Sequence, residues 1–260
     1  MSIWNRHFDR PGPGVSPDAP RATGPARFFE IVGRDYPDLL KSNLLVVLAG
    51  LPGGALYLYG LVFGGLLPAL AGCVLGGALA GPCLAGLYDT TLRALRDEPG
   101  YWWHRYKRAF KANWRQSAVL GGLMWGLFGV QLWALLSTGG VGYIAVAACM
   151  VLTMALFATA WPMMTLMELP MGDLLRNALA LLLSSAPRVL GAAALQAVWW
   201  GLHLKLAPIS LLTIPLLGFW PCVLAATQTA YPPIDETFRI EERIERRREA
   251  DLTGEAAEEE

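Results

Sequence analysis

Asp89, His104 and Glu168 are side chains of proton-moving types that fall near the expected edges of apolar segments. General acid–base work on a lipid headgroup would need them within hydrogen-bond reach of one another, directly or through one water. They come from three separate segments. No Ser-His or Cys-His spacing, phosphate loop or metal-ligand set accompanies them. A catalytic role, a metal and a cofactor are therefore not expected, and a lipid-acting membrane enzyme stands as a second alternative. Cys73, Cys83, Cys149 and Cys222 all sit in apolar runs without metal-type spacing and read as buried, inert thiols.

A second kind of chemistry is passage of a neutral solute. Gln131, Gln196 and Gln228 are the clearly intramembrane polar side chains, and no charged chain accompanies them. Pro52, Gly53 and Gly54 interrupt one apolar run, and Pro82 interrupts the next. Broken helices of this kind line substrate sites in some transporters, and elsewhere they are simple kinks. These seven residues define the solute path of a small permease or channel, the first alternative.

The third feature is YWWHRYKRAFKANWR, residues 101–115, with six aromatic and five basic side chains among its fifteen. On a helix, Trp103, Phe110 and Trp114 fall within about 40° of one another, with Tyr106 close by. Trp102 precedes them, and Arg105, Lys107, Arg108, Lys111 and Arg115 spread over the neighbouring face. Aromatic rings prefer the headgroup layer, and the cations suit anionic lipid phosphates. The segment is expected at a membrane interface with the lipid bilayer as its partner. Net charge is zero, and nucleic acid is not an expected partner.

The elements that must position these residues are transmembrane helices. The chain has 260 residues, 54% hydrophobic and 16% charged. Stretches 44–87 and 117–167 carry no charged side chain, and between Val189 and Asp235 the only one is Lys205. Each is long enough for two spans, at roughly 20 apolar residues per span. The fold class is all-α: a polytopic helical bundle with six transmembrane helices and short amphipathic interfacial helices. Spans are expected at 42–63, 66–87, 116–136, 141–166, 188–206 and 208–231, with an interfacial helix at 27–41 and a short apolar helix at 171–185. Three parts follow: a Pro/Gly-rich tail at 1–26 without the apolar region of a signal peptide, a transmembrane domain at 27–231, and a charged helix with an acidic tail at 232–260.

Twenty of the 21 Lys and Arg residues fall at 1–41, 93–115, 168–188 and 239–248, leaving only Lys205 for the other face. The positive-inside rule then puts both ends in the cytoplasm. A weak internal repeat is expected, with hairpin units near 27–95, 101–166 and 171–231. Gly60 with Gly64, Gly72 with Gly76, Gly77 with Gly81 and Gly122 with Gly126 form small-xxx-small pairs. These suit close helix packing within the chain, or a homo-oligomer through the glycine faces.

The run RPGPGVSPDAP, then RFFEIVGRDYPDLLKSNLL and Leu51-Pro52, resembles the start of YesL family proteins. So does GPCLAGLYDTTLRALRDEPGYWWHRYKRAFKANWRQS, with its F-x-x-N-x-x-x-S pattern at Phe110, Asn113 and Ser117. The likeness covers most of 1–120. The glycine- and alanine-rich spans and the acidic C-terminus depart from many members. The resemblance implies a small bacterial cytoplasmic-membrane protein without assigned activity, linked to carbohydrate uptake, and it brings no catalytic residues with it. The leading expectation is a non-enzymatic accessory or scaffold protein of the bacterial inner membrane, with an ABC-type sugar importer or other membrane protein as partner.

Overall fold

A computed structural model describes residues 22–98 and 100–253, with side chains to Arg246. The first 21 residues and the last seven, hence most of the expected tail at 1–26 and the acidic end, lie outside the described residues. All regular elements among the described residues are helical.

Helix α1, Gly24–Val62, has 39 residues. It is about 58 Å long against a hydrocarbon layer of about 30 Å, so one end must project. The projecting end is the expected interfacial helix, which is continuous with the span rather than separate from it. Pro37 and Pro52 lie within α1 without ending it. The helix stops where Gly64 takes φ +72°, and the Gly65 amide bonds back to the Gly60 carbonyl at 2.8 Å.

Helix α2, Leu66–Leu95, returns beside α1, and α3, Trp102–Ser137, rises on its other side. Small residues on two faces of α2 make this sandwich possible. A Cβ on Gly53 would lie 2.2 Å from the Gly76 Cα, and one on Gly81 would lie 2.1 Å from the Ser117 carbonyl oxygen. In the most apolar stretch of α2, 61% is buried, against 22% in each of α1, α3 and α4. Helix α2 is thus the axis of the bundle, and its neighbours face outward.

Helix α4, Val141–Leu166, coincides with the expected fourth span. Its Trp161 stacks on Tyr88 of α2 at 5.5 Å and donates to the Met124 sulfur at 3.1 Å. The outer surface is apolar: Leu67, Val141 and Leu212 are each 80% or more exposed. Water would not tolerate such a belt, whereas lipid does. Helices α1 to α4 are each long and apolar enough to cross a bilayer.

The last third departs from six spans. Helix α5, Met171–Ser184, and α6, Ala186–Lys205, meet at 105°, and together they make at most a fifth crossing. The segment 208–231, expected as a sixth span, is not one helix. It contains a 3-10 turn Ile209–Leu212, a one-turn helix α7, Ile214–Leu217, and then α8, Trp220–Phe238. Pro208, Pro215 and Pro221 each withhold a backbone donor from this stretch. The break is held by Asn43 of α1, which is fully buried. Its amide nitrogen donates to the Ile214 and Pro215 carbonyls at 3.1 and 2.7 Å. Its oxygen accepts from the Phe219 and Trp220 amides at 2.7 and 3.3 Å. One side chain thereby reaches four backbone groups at the interruption, of which the Ile214 carbonyl also accepts from the Gly218 amide at 2.8 Å.

Three equivalent hairpins are not seen. Helix α2 packs closely on both α1 and α3, α3 touches α4 far less, and the third unit holds a bend and a broken segment. Helix α8 runs through the expected boundary at 231 and ends at Arg239, whose φ is +51°. The charged helix α9, Ile240–Thr253, follows.

Candidate functional site

The basic segments that the sequence scatters meet at one end of the bundle. The Gln228 amide donates to the Gly24 carbonyl at 2.7 Å, and Arg188 pairs with Glu236 at 2.6 Å. The Gln116 amide donates to the Leu169 carbonyl at 2.8 Å. The described chain ends therefore share this charged end with the α2–α3 corner and the α4–α5 junction.

The corner is built from RALRDE, residues 93–98. Asp97 has φ +57°, the left-handed region in which a short polar residue is tolerated. The Glu98 amide bonds to the Arg93 carbonyl at 3.0 Å and the Asp97 amide to that of Ala94 at 3.4 Å, the pattern of a Schellman C-terminus. This turns two carboxylates toward opposite sets of arginines. Asp97 accepts from Arg27 at 2.8 Å and from Arg34. Glu98 accepts from Arg93 at 2.7 Å and Arg96 at 2.9 Å, and Asp89 accepts from Arg93 at 2.8 Å. Burial raises the pKa of the Asp97 carboxyl, but hydrogen bonds from Arg34 and Arg27 outweigh it and hold the group below its ordinary value.

Two cavities open here. One of about 270 Å³ lies among Arg34, Asp38, Asp89, Arg93, Asp97 and Trp102. The other, about 910 Å³, lies between α3, the end of α4, and the α8–α9 bend. Arg93, Arg108 and Arg243 face Asp89 and Glu168 in it, three cations against two anions. Asp89 and Glu168 thus share a cleft, whereas His104 is exposed and lines neither cavity. Among the described residues, no group of three or more His, Cys, Asp or Glu is placed to hold a metal ion.

The aromatic stripe of 101–115 is divided. Trp102, Tyr106 and Phe110 turn inward. The Trp102 indole donates to the Ser42 hydroxyl at 3.0 Å with Lys41 5.1 Å from its ring, and the buried Tyr106 hydroxyl donates to the Cys83 carbonyl at 3.2 Å. Phe110 packs on the core. Trp103 and Trp114 remain exposed, with Lys107 and Arg115 over their rings at 5.5 and 5.1 Å. Lys111 is exposed, Arg105 turns to the Glu98 carbonyl at 3.4 Å, and Arg108 lines the larger cleft.

The seven solute-path residues line neither cavity. Pro52 and Gly54 are exposed, Pro82 is buried, and Gly53 abuts Gly76. Gln131 donates to the Thr153 hydroxyl at 2.8 Å, Gln228 reaches Gly24, and Gln196 lies half-buried on α6. The small-xxx-small faces are occupied by neighbours in the same chain: Gly60 meets Ala69, Gly72 meets Tyr57, Gly77 meets Gly121 and Gly126 meets Val74. Cys83 and Cys222 are buried as expected, but Cys149 is exposed on the outer face of α4.

Residues 39–135 match the family described as a protein of unknown function, DUF624. The matched stretch takes in most of α1, all of α2 and the corner, and nearly all of α3. It therefore includes Asn43, Asp89, Asp97 and Arg108. No curated protein and no solved structure matches the chain. Asn43 and Asp97 went unnoticed in the sequence reading. An Asn at the head of a charge-free run, and an Asp-Glu pair after two arginines, were the signals available.

Proposed function

We propose that the chain is a non-enzymatic accessory or scaffold protein of the bacterial inner membrane, with both ends cytoplasmic, that offers its charged end to a partner. The observation that carries this reading is Asp97. It joins Arg27 and Arg34, 70 and 63 residues away, to the α2–α3 corner, so that remote basic segments form one surface. The concentration of Lys and Arg at that end favours the cytoplasmic side. The link to carbohydrate uptake, with an ABC-type importer as partner, draws its support from the resemblance of 1–120 to YesL proteins. Copurification in mild detergent from the native host tests it. Importer subunits co-elute with the wild type and are lost with Asp97→Gly; if none co-elutes with either, the reading is abandoned.

A small permease is the second reading. One observation favours it: the Gln131 Oε1 and Gln196 Nε2 atoms are buried without a hydrogen-bond partner among the described residues. Such groups are costly in a low-dielectric interior and welcome a polar guest. In liposomes, flux of a small neutral sugar that falls with Gln196→Leu supports this reading, and flux no greater than that of empty vesicles ends it.

A further inference from the structure

We propose that the 910 Å³ cleft binds one anionic amphiphile, a phosphate-bearing headgroup joined to an acyl chain. Its polar half holds Arg108 and Asn113 of α3 and Arg243 of α9, with Arg93, Asp89 and Glu168 on the same lining, so that cations exceed carboxylates by one. Arg93 spends its guanidinium on Asp89 and Glu98, whereas Arg108 and Arg243 make no ion pair with another described residue. Two guanidinium groups, with the Asn113 N–H not given to the Ala109 carbonyl, suit phosphate oxygens, which the guanidinium groups address with directed, charge-assisted hydrogen bonds.

The other half is apolar. Leu166, Phe238 and Ile244 line the same space. A free phosphate has no use for these side chains, but an acyl chain does. Arg243 is placed there by the fold. The left-handed Arg239 reverses the chain after α8, the Asp235 carboxylate accepts from the Glu241 amide at 2.9 Å, and Ile240 is buried beneath. The cleft opens at the charged end, where α3 leaves its apolar run, so a lipid reaches it sideways from the headgroup layer.

Native mass spectrometry of the full chain in detergent tests the site, with phosphatidylglycerol, phosphatidylcholine, dihexanoyl phosphatidylglycerol and inorganic phosphate as probes. Wild type is expected to retain one long-chain phosphatidylglycerol. Replacing both Arg108 and Arg243 by Gln should weaken retention about 100-fold, two hydrogen bonds to a charged group combined. Replacing Lys111 and Arg115 by Gln removes the same charge from positions on α3 that do not line the cleft, and should change it less than about twofold. Equal loss in the two double variants would make the effect a general surface field and overturn the proposal. So would equal retention of phosphatidylcholine, or full displacement by inorganic phosphate at equal concentration. The wild-type comparison of long and short chains needs no variant: retention that ignores chain length removes the apolar half and the proposal with it.

Discussion

Gly77 of α2 and Gly121 of α3 face each other so closely that a Cβ on either would lie 2.1 or 2.2 Å from the other's carbonyl oxygen. Real side chains do not approach backbone to that distance, so the two helices must separate before either position accepts Ala. Gly77→Ala should therefore destabilise the protein by about 1–3 kcal/mol, the usual cost of overpacking. Gly54→Ala, on an exposed face of α1 with open space around it, should be neutral or raise stability by about 0.5–1 kcal/mol. Thermal melting of both in one detergent checks the contrast, and similar melting temperatures would deny the close approach.

Asn43 supports a different expectation. Asn43→Leu keeps bulk but strands the Pro215 carbonyl and the Phe219 and Trp220 amides at the α7–α8 break, while the Ile214 carbonyl keeps the Gly218 amide; the cost is about 1–3 kcal/mol for each buried group that water cannot reach. The variant should lose stability by several-fold more than Ser184→Ala on the rim of α5. Hydrogen exchange should rise first at 214–220. Unchanged exchange there would mean that the break is held by something else.

Asp97 should respond to pH. Its folded-state pKa lies below the ordinary carboxylate value, so the stabilisation it provides is present above that value and is lost as pH falls through the folded one. Protection of amides at 24–34 should stay flat from about pH 8 to 5 and fall below about pH 4. Asp97→Gly suits the left-handed backbone and keeps the corner, but it leaves Arg27 with only Glu30 and the Leu95 carbonyl, and Arg34 with only Asp35 and the Ala94 carbonyl. Its 24–34 amides should be less protected than the wild type's near neutral pH, without the acid transition.

Trp103 and Trp114 should report lipid, and Trp102 should not. Brominated acyl chains should quench the wild type more than a Trp103→Phe, Trp114→Phe double variant, while Trp102→Phe leaves the quenched fraction nearly unchanged. Quenching lost mainly with Trp102 would reverse the division of the aromatic stripe.

Helix positions were readable because an uncharged apolar run has few options in lipid. The fourth span, 141–166, was predicted to the residue, and α5 to within one. What could not be read was anything set by a partner far along the chain. Asn43 looks like a stray polar residue until the break at 214–220, more than 170 positions away, is placed beside it. The stretch 208–231 has the composition of a span, in which Pro215 and Pro221 read as kinks, because hydropathy carries no term for backbone donors. The aromatic stripe failed in another way. Helical periodicity puts Tyr106 near Trp103 and Phe110, but only the neighbouring helix, with room for a ring at Gly86, decides which of them turns inward. The cleft at Arg108 and Arg243 was invisible for the same reason, since the sign of φ at Arg239 aims α9.

The central position of α2 bears on how the protein is made. Its two tightest neighbours come immediately before and after it in the chain, so most of its packing can form once α3 has emerged, leaving the Tyr88 face for Trp161 of α4. Helices α4 to α9 then complete the core by adding side chains such as Trp161, Leu174 and Leu224 to that trio. A defect between α1, α2 and α3 is met during synthesis, whereas a defect in the last third leaves a formed trio with an undocked remainder.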